Sequence, residues 1–382
     1  MRVLHLIESG GYFGAEVVIR QLAREQHRRG YVVEVAALRP PGTGEPELLR
    51  RCREDGVATR QVTQRHRFDV GKVHETVAEA CASGVQVVHS HGYKANICAA
   101  LLPVRHAVAR VATLHGWTGF RPTRRVWWYE TLERTLLGRM DVVACVHSSL
   151  QERLVGKHEN RARVRVIPNG VPVPERAAAV AAHPGLDSGV VPVVGFVGRL
   201  AAGKGVDTLL DAVARLRGDG QCVRTILVGE GPRRAALEAR VRELALVDDV
   251  EFAGYVKDAQ SAMQGFDVLV LPSHSEGMPM VVLEALAVGV PVVASDVGGC
   301  RDALDAGRLG VLMAPGSVDD CADGIRRALG DETLRAEVRR SAPAWVQARF
   351  GVERMADLYE AAYADALERR EVPPELRRVG AR

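Results

Sequence analysis

Short apolar, β-branched runs recur along the chain, each followed by a longer stretch with helical spacing. Six lie in the first half, RVLHLIES, VVEVAAL, VQVVHSH, ARVATLH, DVVACVH and VRVIPNG. Six lie in the second, VVGFVGRL, RTILVGEG, DVEFAGYV, DVLVLPSH, PVVASDV and GVLMAP. Their apolar character is continuous rather than alternating, which predicts strands buried on both faces, as parallel sheets covered by helices require. The expected class is α/β, with doubly wound, Rossmann-like sheets.

Between the sixth and seventh runs, VPVPERAAAVAAHPGLDSGVVP has proline, small residues and no apolar period, and reads as a linker. A chain of 382 residues has room for two domains of roughly 170 residues each. The expected division is a first Rossmann-like domain at 1–173, a linker at 174–190 and a second Rossmann-like domain at 191–350. The segment 351–382 opens with the amphipathic GVERMADLYEAAYADALERR, expected to cross back to the first domain, and closes on a polar end. Two such domains face a central cleft, and ligands of such sheets sit beyond the carboxyl ends of the strands.

Composition narrows the partners. Hydrophobic residues make up 47% and charged residues 26%, and no run nears the ~18 uninterrupted apolar residues of a membrane span. The opening MRVLHLIESGG reads as a first strand, since its apolar run is short and lacks a small-residue cleavage site. Seven scattered cysteines with no CxxC indicate neither a disulfide framework nor a zinc site, and the expected compartment is the cytosol. The net charge of +4 suits a small anionic ligand; it lacks the concentrated stripe that nucleic acid requires.

Chemistry-bearing residues cluster after the apolar runs. Gly10-Gly11-Tyr12-Phe13-Gly14 forms a turn into a helix, where backbone amides can meet an anion. The spacing is GGxxG, not GxGxxG, and ALRPPG carries no acid for a ribose, so dinucleotide binding is disfavoured. His115 closes ARVATLH, presented to a ligand as a hydrogen-bonding group or acid–base, or else packed for structure. His89 and His91 should face the same way. No carboxylate or third histidine accompanies them at a ligand spacing, so a metal is disfavoured. Arg199 and Lys204, five residues apart in GFVGRLAAGKG, make a clamp for a diphosphate.

EGMPMVVLEALAVGVPVV, Glu276 to Val293, is apolar yet holds two glutamates with seven residues between them. Pro279 suits a helix start and Gly289 its end, which places Glu276 in the preceding loop and Glu284 inside the helix. Carboxylates withdrawn from water need partners. Vicinal hydroxyls of a sugar would serve, or an arginine for Glu284, while the amides of Gly277, Met278 and Met280 could hold phosphate or sugar oxygens. In RPTRRVWWYETLERTLLGR, Arg124, Arg125, Trp127 and Trp128 could meet a lipid surface or an acceptor. The alternative is a helix with Tyr129, Leu132 and Leu136 inward and charges outward.

Together ESGGYFGAE, VVHSHGYKAN, VATLHGW, VIPNGVPVP, GFVGRLAAGKGVDTLLDA, LVGEGP, VEFAGYV and SEGMPMVVLEALAVGVPVVASDVGG resemble the nucleotide-sugar-dependent glycosyltransferases of the GT-B fold, in retaining family 4. The last segment is similar to that family's E-x7-E signature. The resemblance implies that Glu276 contacts the transferred sugar and Glu284 the ribose hydroxyls, with Gly277, Met278, Pro279, Met280 and Val281 lining the donor between them. It implies that Arg199 and Lys204 neutralise the leaving diphosphate, approached also by Gly10 and Gly11. His115 would bond the sugar, and the backbone around Tyr255 and Val256 would receive the base.

The implied reaction moves a sugar from a UDP- or GDP-sugar to a hydroxyl of a glycan, lipid-linked or small-molecule acceptor, with retention. No cofactor beyond the nucleotide sugar is implied, and the absence of a DxD motif points away from a metal. Peripheral contact with the inner face of a membrane is compatible with the basic and aromatic stretch. Tyr12 and Phe13 stand where smaller residues are expected, so acceptor recognition does not carry over. A nucleotide-sugar epimerase of the same fold, or a non-catalytic sugar-nucleotide-binding module, would share these motifs. Epimer formation without acceptor would mark the first, and binding with neither transfer nor hydrolysis the second.

Overall fold

The computed structural model describes residues 1–66, 68–103, 108–116, 124–155, 163–174, 191–256 and 258–371. All but the first residue of the expected linker at 174–190, and the polar end of the chain, lie outside them. The chain divides into two units, one of Met1–Gly170 with the segment from Val352 onward, the other of Val171–Gly351.

In the first unit seven parallel strands are ordered β3-β2-β1-β4-β5-β6-β7. They are β1 (Arg2–Glu8), β2 (Val32–Arg39), β3 (Ala58–Thr63), β4 (Val87–His91), β5 (Ala109–Leu114), β6 (Val142–Cys145) and β7 (Val164–Val166). β4, β5 and β6 are buried at every position, as continuous apolar runs predict. Successive residues serve opposite faces: Ala36 and Leu38 pack with Val73, Val77 and Ala95, while Val35 and Ala37 pack with Ile19 and Leu49. β3 is the strand that the apolar pattern does not reveal. Its sequence, ATRQVT, is mostly polar and only Val62 is buried, because it closes the sheet at an edge.

The helix Val352–Glu371 belongs to this unit and brings Tyr359 and Tyr363 into its core, 2% and 0% exposed. The helix Arg124–Leu136 departs from expectation. Trp127, Trp128 and Leu132 are exposed, whereas Glu133 is buried and accepts a hydrogen bond from Asn96 Nδ2 at 2.7 Å. A buried amide donor turns the acidic side of the helix inward, and Leu132 outward. Tyr129 does turn in, stacked on Tyr93 and edge-on to Phe68.

In the second unit six parallel strands run β10-β9-β8-β11-β12-β13. They are β8 (Val193–Val197), β9 (Arg224–Val228), β10 (Val250–Gly254), β11 (Val268–Leu271), β12 (Val292–Ser295) and β13 (Gly310–Met313). The helix Met280–Ala287 follows β11, with Pro279 as its N-cap and Gly289 just past its end in the left-handed region at φ 76°. Six of its eight residues are buried, so it is held from nearly all sides.

Both sheets reverse their winding at one place. β1 pairs with β2 on one side and β4 on the other, and β8 pairs with β9 and β11. At such switch points the connections diverge and leave a crevice at the carboxyl ends of the strands. All seven cysteines are free, and no helix of the described residues is long and apolar enough to cross a membrane.

Candidate active site

Lys204 follows β8 in the turn Ala202–Lys204, and Glu276 follows β11, so the two flank the switch point of the second sheet. Lys204 Nζ donates to Glu276 Oε1 at 2.6 Å, with the glutamate side chain 10% exposed and the lysine 30%. The loops that carry them meet backbone to backbone. His274 N–H donates to Gly203 O at 2.9 Å, and Gly299 N–H to Gly277 O at 2.7 Å. Gly205 has φ 64°, and a Cβ there would lie 2.0 Å from Pro272 O. Gly298 has φ 56°, and its Cβ would lie 2.1 Å from Glu276 O. No side chain fits at either place, so glycine on both flanks fixes where Glu276 stands.

Arg199 is exposed two residues beyond β8, its loop tied to the next by Leu200 N–H donating to Glu230 O at 3.0 Å. Pro279 supplies no capping side chain to the helix Met280–Ala287. The first-turn amides of Met280 and Val281 lack intrahelical acceptors by helix geometry, and with Gly277 and Met278 they form an electropositive helix start beside Glu276.

Glu284 lies in the middle of that helix. No hydrogen bond or ion pair reaches its carboxylate among the described residues, so the arginine partner considered from the sequence is not found among them. Burial, and secondarily the negative charge of Asp258, push its pKa up to about 7. Asp258 stands two residues beyond Val256, so the segment of Tyr255 and Val256 is near this carboxylate. Tyr255 is 65% exposed.

In the first unit the GGxxG turn is tied back on itself. Glu16 Oε2 accepts from Phe13 N–H at 3.1 Å, and Ser9 Oγ donates to Glu16 Oε1 at 3.3 Å. One amide that the turn was expected to offer an anion is thus taken by its own carboxylate. A Cβ on Gly11 would strike the Phe13 ring, while Gly10 has open space beside it. Across the switch point of this sheet Lys94 forms an ion pair with Glu8, beside a cavity of about 370 Å³ lined by Glu8, Pro40, Pro41, Gln64, His66 and Lys94.

His89 and His91 do face the same way, their ring centroids 4.0 Å apart. The expectation that no third histidine joins them is corrected. Parallel register sets His5 of β1 beside His89, and β5 delivers His115 beside His91. The ring nitrogens are engaged: His5 Nδ1 with His91 Nε2 at 3.0 Å, His5 Nε2 with Gln26 Oε1 at 2.8 Å, and His91 Nδ1 with His115 Nε2 at 3.3 Å. His89 bonds Tyr363 OH at 2.8 Å and Thr113 Oγ1 at 2.7 Å. All six nitrogens of His5, His89 and His91 have partners, which makes the cluster a hydrogen-bonded network rather than an open ligand set. Burial holds all four histidines well below their usual pKa, His5 and His115 at about 4, so each ring is neutral near pH 7. The sequence offers no signal for the roles of Gln26 and Tyr363, which arrive from distant helices.

Two family models match the chain, Glycosyltransferase Family 4 over residues 13–174 and Glycosyl transferases group 1 over residues 191–331. D-inositol 3-phosphate glycosyltransferase of Geodermatophilus obscurus is 30% identical, in a match spanning 94% of this chain and 86% of that protein. The chain belongs to glycosyltransferase family 4. The transferase is also 35% identical to 2-deoxystreptamine glucosyltransferase of Streptomyces kanamyceticus, over 53% of its own length and 55% of that relative's; the match thus spans about half of each. Among solved structures, Anabaena HepE in complex with UDP superposes with a TM-score of 0.79 at 22% identity, covering 95% of the transferase and 100% of that chain. Sucrose-phosphate synthase from Thermosynechococcus elongatus gives 0.77 at 24% identity, with 95% and 100% covered. These likenesses establish the GT-B fold.

An unpartnered carboxylate should cost the transferase stability when ionised. Below pH 4.5 Glu284 is protonated folded or unfolded; between 4.5 and about 7 the unfolded chain ionises first, so stability falls as pH rises, then levels off. Glu284 is half-buried, so Glu284→Gln removes a penalty on the order of 1–3 kcal/mol. The variant should melt higher than the wild type at pH 8 and equally at pH 4.5, by calorimetry; equal melting at pH 8 would show that Glu284 has a partner.

Proposed function

We propose that this glycosyltransferase moves a hexose from a UDP-activated donor to a hydroxyl of a small polyhydroxylated acceptor, with retention and without a metal. The observation that carries the donor site is Glu284, an ionisable carboxylate in an apolar helix with no protein partner among the described residues. The two adjacent hydroxyls of a ribose supply paired O–H donors for it. Tyr255 and Val256 receive the base through their backbone, on the segment whose neighbour Asp258 acts on the same carboxylate.

Charge separation governs the chemical step. Breaking the anomeric bond builds positive character on the sugar and negative charge on the departing diphosphate. Lys204 has three N–H donors; one is held by Glu276, which aims the ammonium and leaves two for phosphate oxygens. Arg199 and the helix-start amides of Gly277, Met278, Met280 and Val281 add to the same neutralisation, with Pro279 presetting the turn. These fixed positive groups fill the role a divalent ion would otherwise take. Glu276 is assigned to the transferred sugar, and His115 is assigned as a hydrogen-bonding group for a sugar hydroxyl. Gly10 allows close approach of a ligand to its backbone, and Gly11 shapes the same turn.

UDP as the carrier is supported by HepE, crystallised with UDP and with UDP-glucose. A small acceptor is supported by the relatives named for 2-deoxystreptamine and for D-inositol 3-phosphate, and by the first unit's cavity, whose size suits one sugar-sized molecule. Retention is supported by the E-x7-E segment.

Incubation with UDP-hexoses, GDP-hexoses and a panel of cyclic polyols, in the presence of a chelator, should give a glycoside with the anomeric configuration of a UDP donor, read by NMR. Product of inverted configuration, activity lost on chelation, or activity with GDP-sugars alone would each overturn the corresponding part. Lys204→Ala should lower kcat/KM by about a hundredfold, near 3 kcal/mol, chiefly in kcat; an unchanged kcat would remove Lys204 from the clamp.

A further inference from the structure

A buried amide sits at the head of the histidine network. Gln26, 2% exposed on the helix Gly14–Arg28, turns its Oε1 to His5 Nε2 at 2.8 Å and its Nε2 to Tyr363 OH at 3.0 Å. An amide oxygen only accepts, so His5 must carry its proton on Nε2. A neutral ring with Nε2–H has a bare Nδ1, which accepts from His91 Nε2–H at 3.0 Å. By the same step His91 Nδ1 is bare and accepts from His115 Nε2–H at 3.3 Å. His115 is left with an unprotonated Nδ1. That atom is buried and has no hydrogen-bond partner among the described residues.

The other branch agrees. Gln26 N–H donates to Tyr363, whose hydroxyl is then free to donate to His89 Nδ1, and His89 Nε2–H donates to Thr113 Oγ1, which lies 2.8 Å from Tyr359 OH. Turning the amide over would reverse every donor in both branches and give His115 an N–H instead of a lone pair. One side chain therefore selects between two self-consistent proton arrangements.

We propose that Gln26 is a positioning residue that fixes the tautomer of His115 through His5 and His91, so that the end of β5 offers a substrate a lone pair. A bare imidazole nitrogen accepts from a hydroxyl and repels an anionic oxygen. The chemical class selected at that point is a neutral O–H group of the sugar substrate, not a phosphate or carboxylate oxygen. This rests on the reading of His115 as a sugar contact; the relay itself is a property of the protein without substrate.

Long-range proton–nitrogen correlation spectra of the full chain, labelled with nitrogen-15 in histidine and assigned with His115→Gln, test the two parts separately. At pH 7.5 His115 should show a protonated Nε2 and an unprotonated Nδ1; the reverse pattern overturns the relay. Gln26→Met should give His115 a mixture of both tautomers and a loss of kcat/KM. A single unchanged tautomer in that folded variant also overturns the relay. Adding UDP-glucose to the wild type should move the Nδ1 signal as it accepts a hydrogen bond. An unmoved signal with the tautomer as assigned removes the sugar contact and leaves the relay standing.

Discussion

The Lys204–Glu276 pair depends on backbones that approach more closely than any side chain permits. Gly205 against Pro272 and Gly298 against Glu276 bring three loops together at the place where β8 and β11 diverge. A partly exposed ion pair of this kind contributes little to stability, so its geometry is better understood as a means of aiming an ammonium group. The first unit repeats the arrangement at its own switch point with Glu8 and Lys94. In each sheet the reversal of strand order leaves room for a ligand, and a lysine stands beside it.

Glu284 shows the opposite economy. Its carboxylate lowers the stability of the fold by being ionised where burial disfavours charge. A helix built only for packing would have an apolar residue there. Functional sites retain such locally unfavourable groups, and the surrounding apolar helix supplies the excess stability that allows it.

Much of this was legible in the sequence. Continuous apolar runs marked twelve of the thirteen strands among the described residues, the central ones because a strand covered on both faces must be apolar throughout. Proline and glycine gave the ends of the helix Met280–Ala287, and so the separation of Glu276 from Glu284. β3 escaped because its sequence is mostly polar and buries only Val62, and Leu132 and Glu133 because the partner of Glu133 on that helix is Asn96, far away in sequence. The histidine network was out of reach for the same reason. His5 and His91 come from two strands, His115 from the position that follows β5, and Gln26 and Tyr363 from two helices, and parallel register sets the histidines side by side. The carboxylate of Glu16 closing the GGxxG turn could have been read from its place three residues after Phe13.

The central claim is that Glu284 is completed by ribose hydroxyls. Calorimetric titration of the wild type and Glu284→Gln with UDP and with 2′,3′-dideoxy-UDP measures the coupling between that carboxylate and those hydroxyls. Loss of the hydroxyls should weaken wild-type binding by about 2 kcal/mol, the scale of hydrogen bonds to a charged group, and should weaken the variant far less. Equal losses in the two proteins would contradict it.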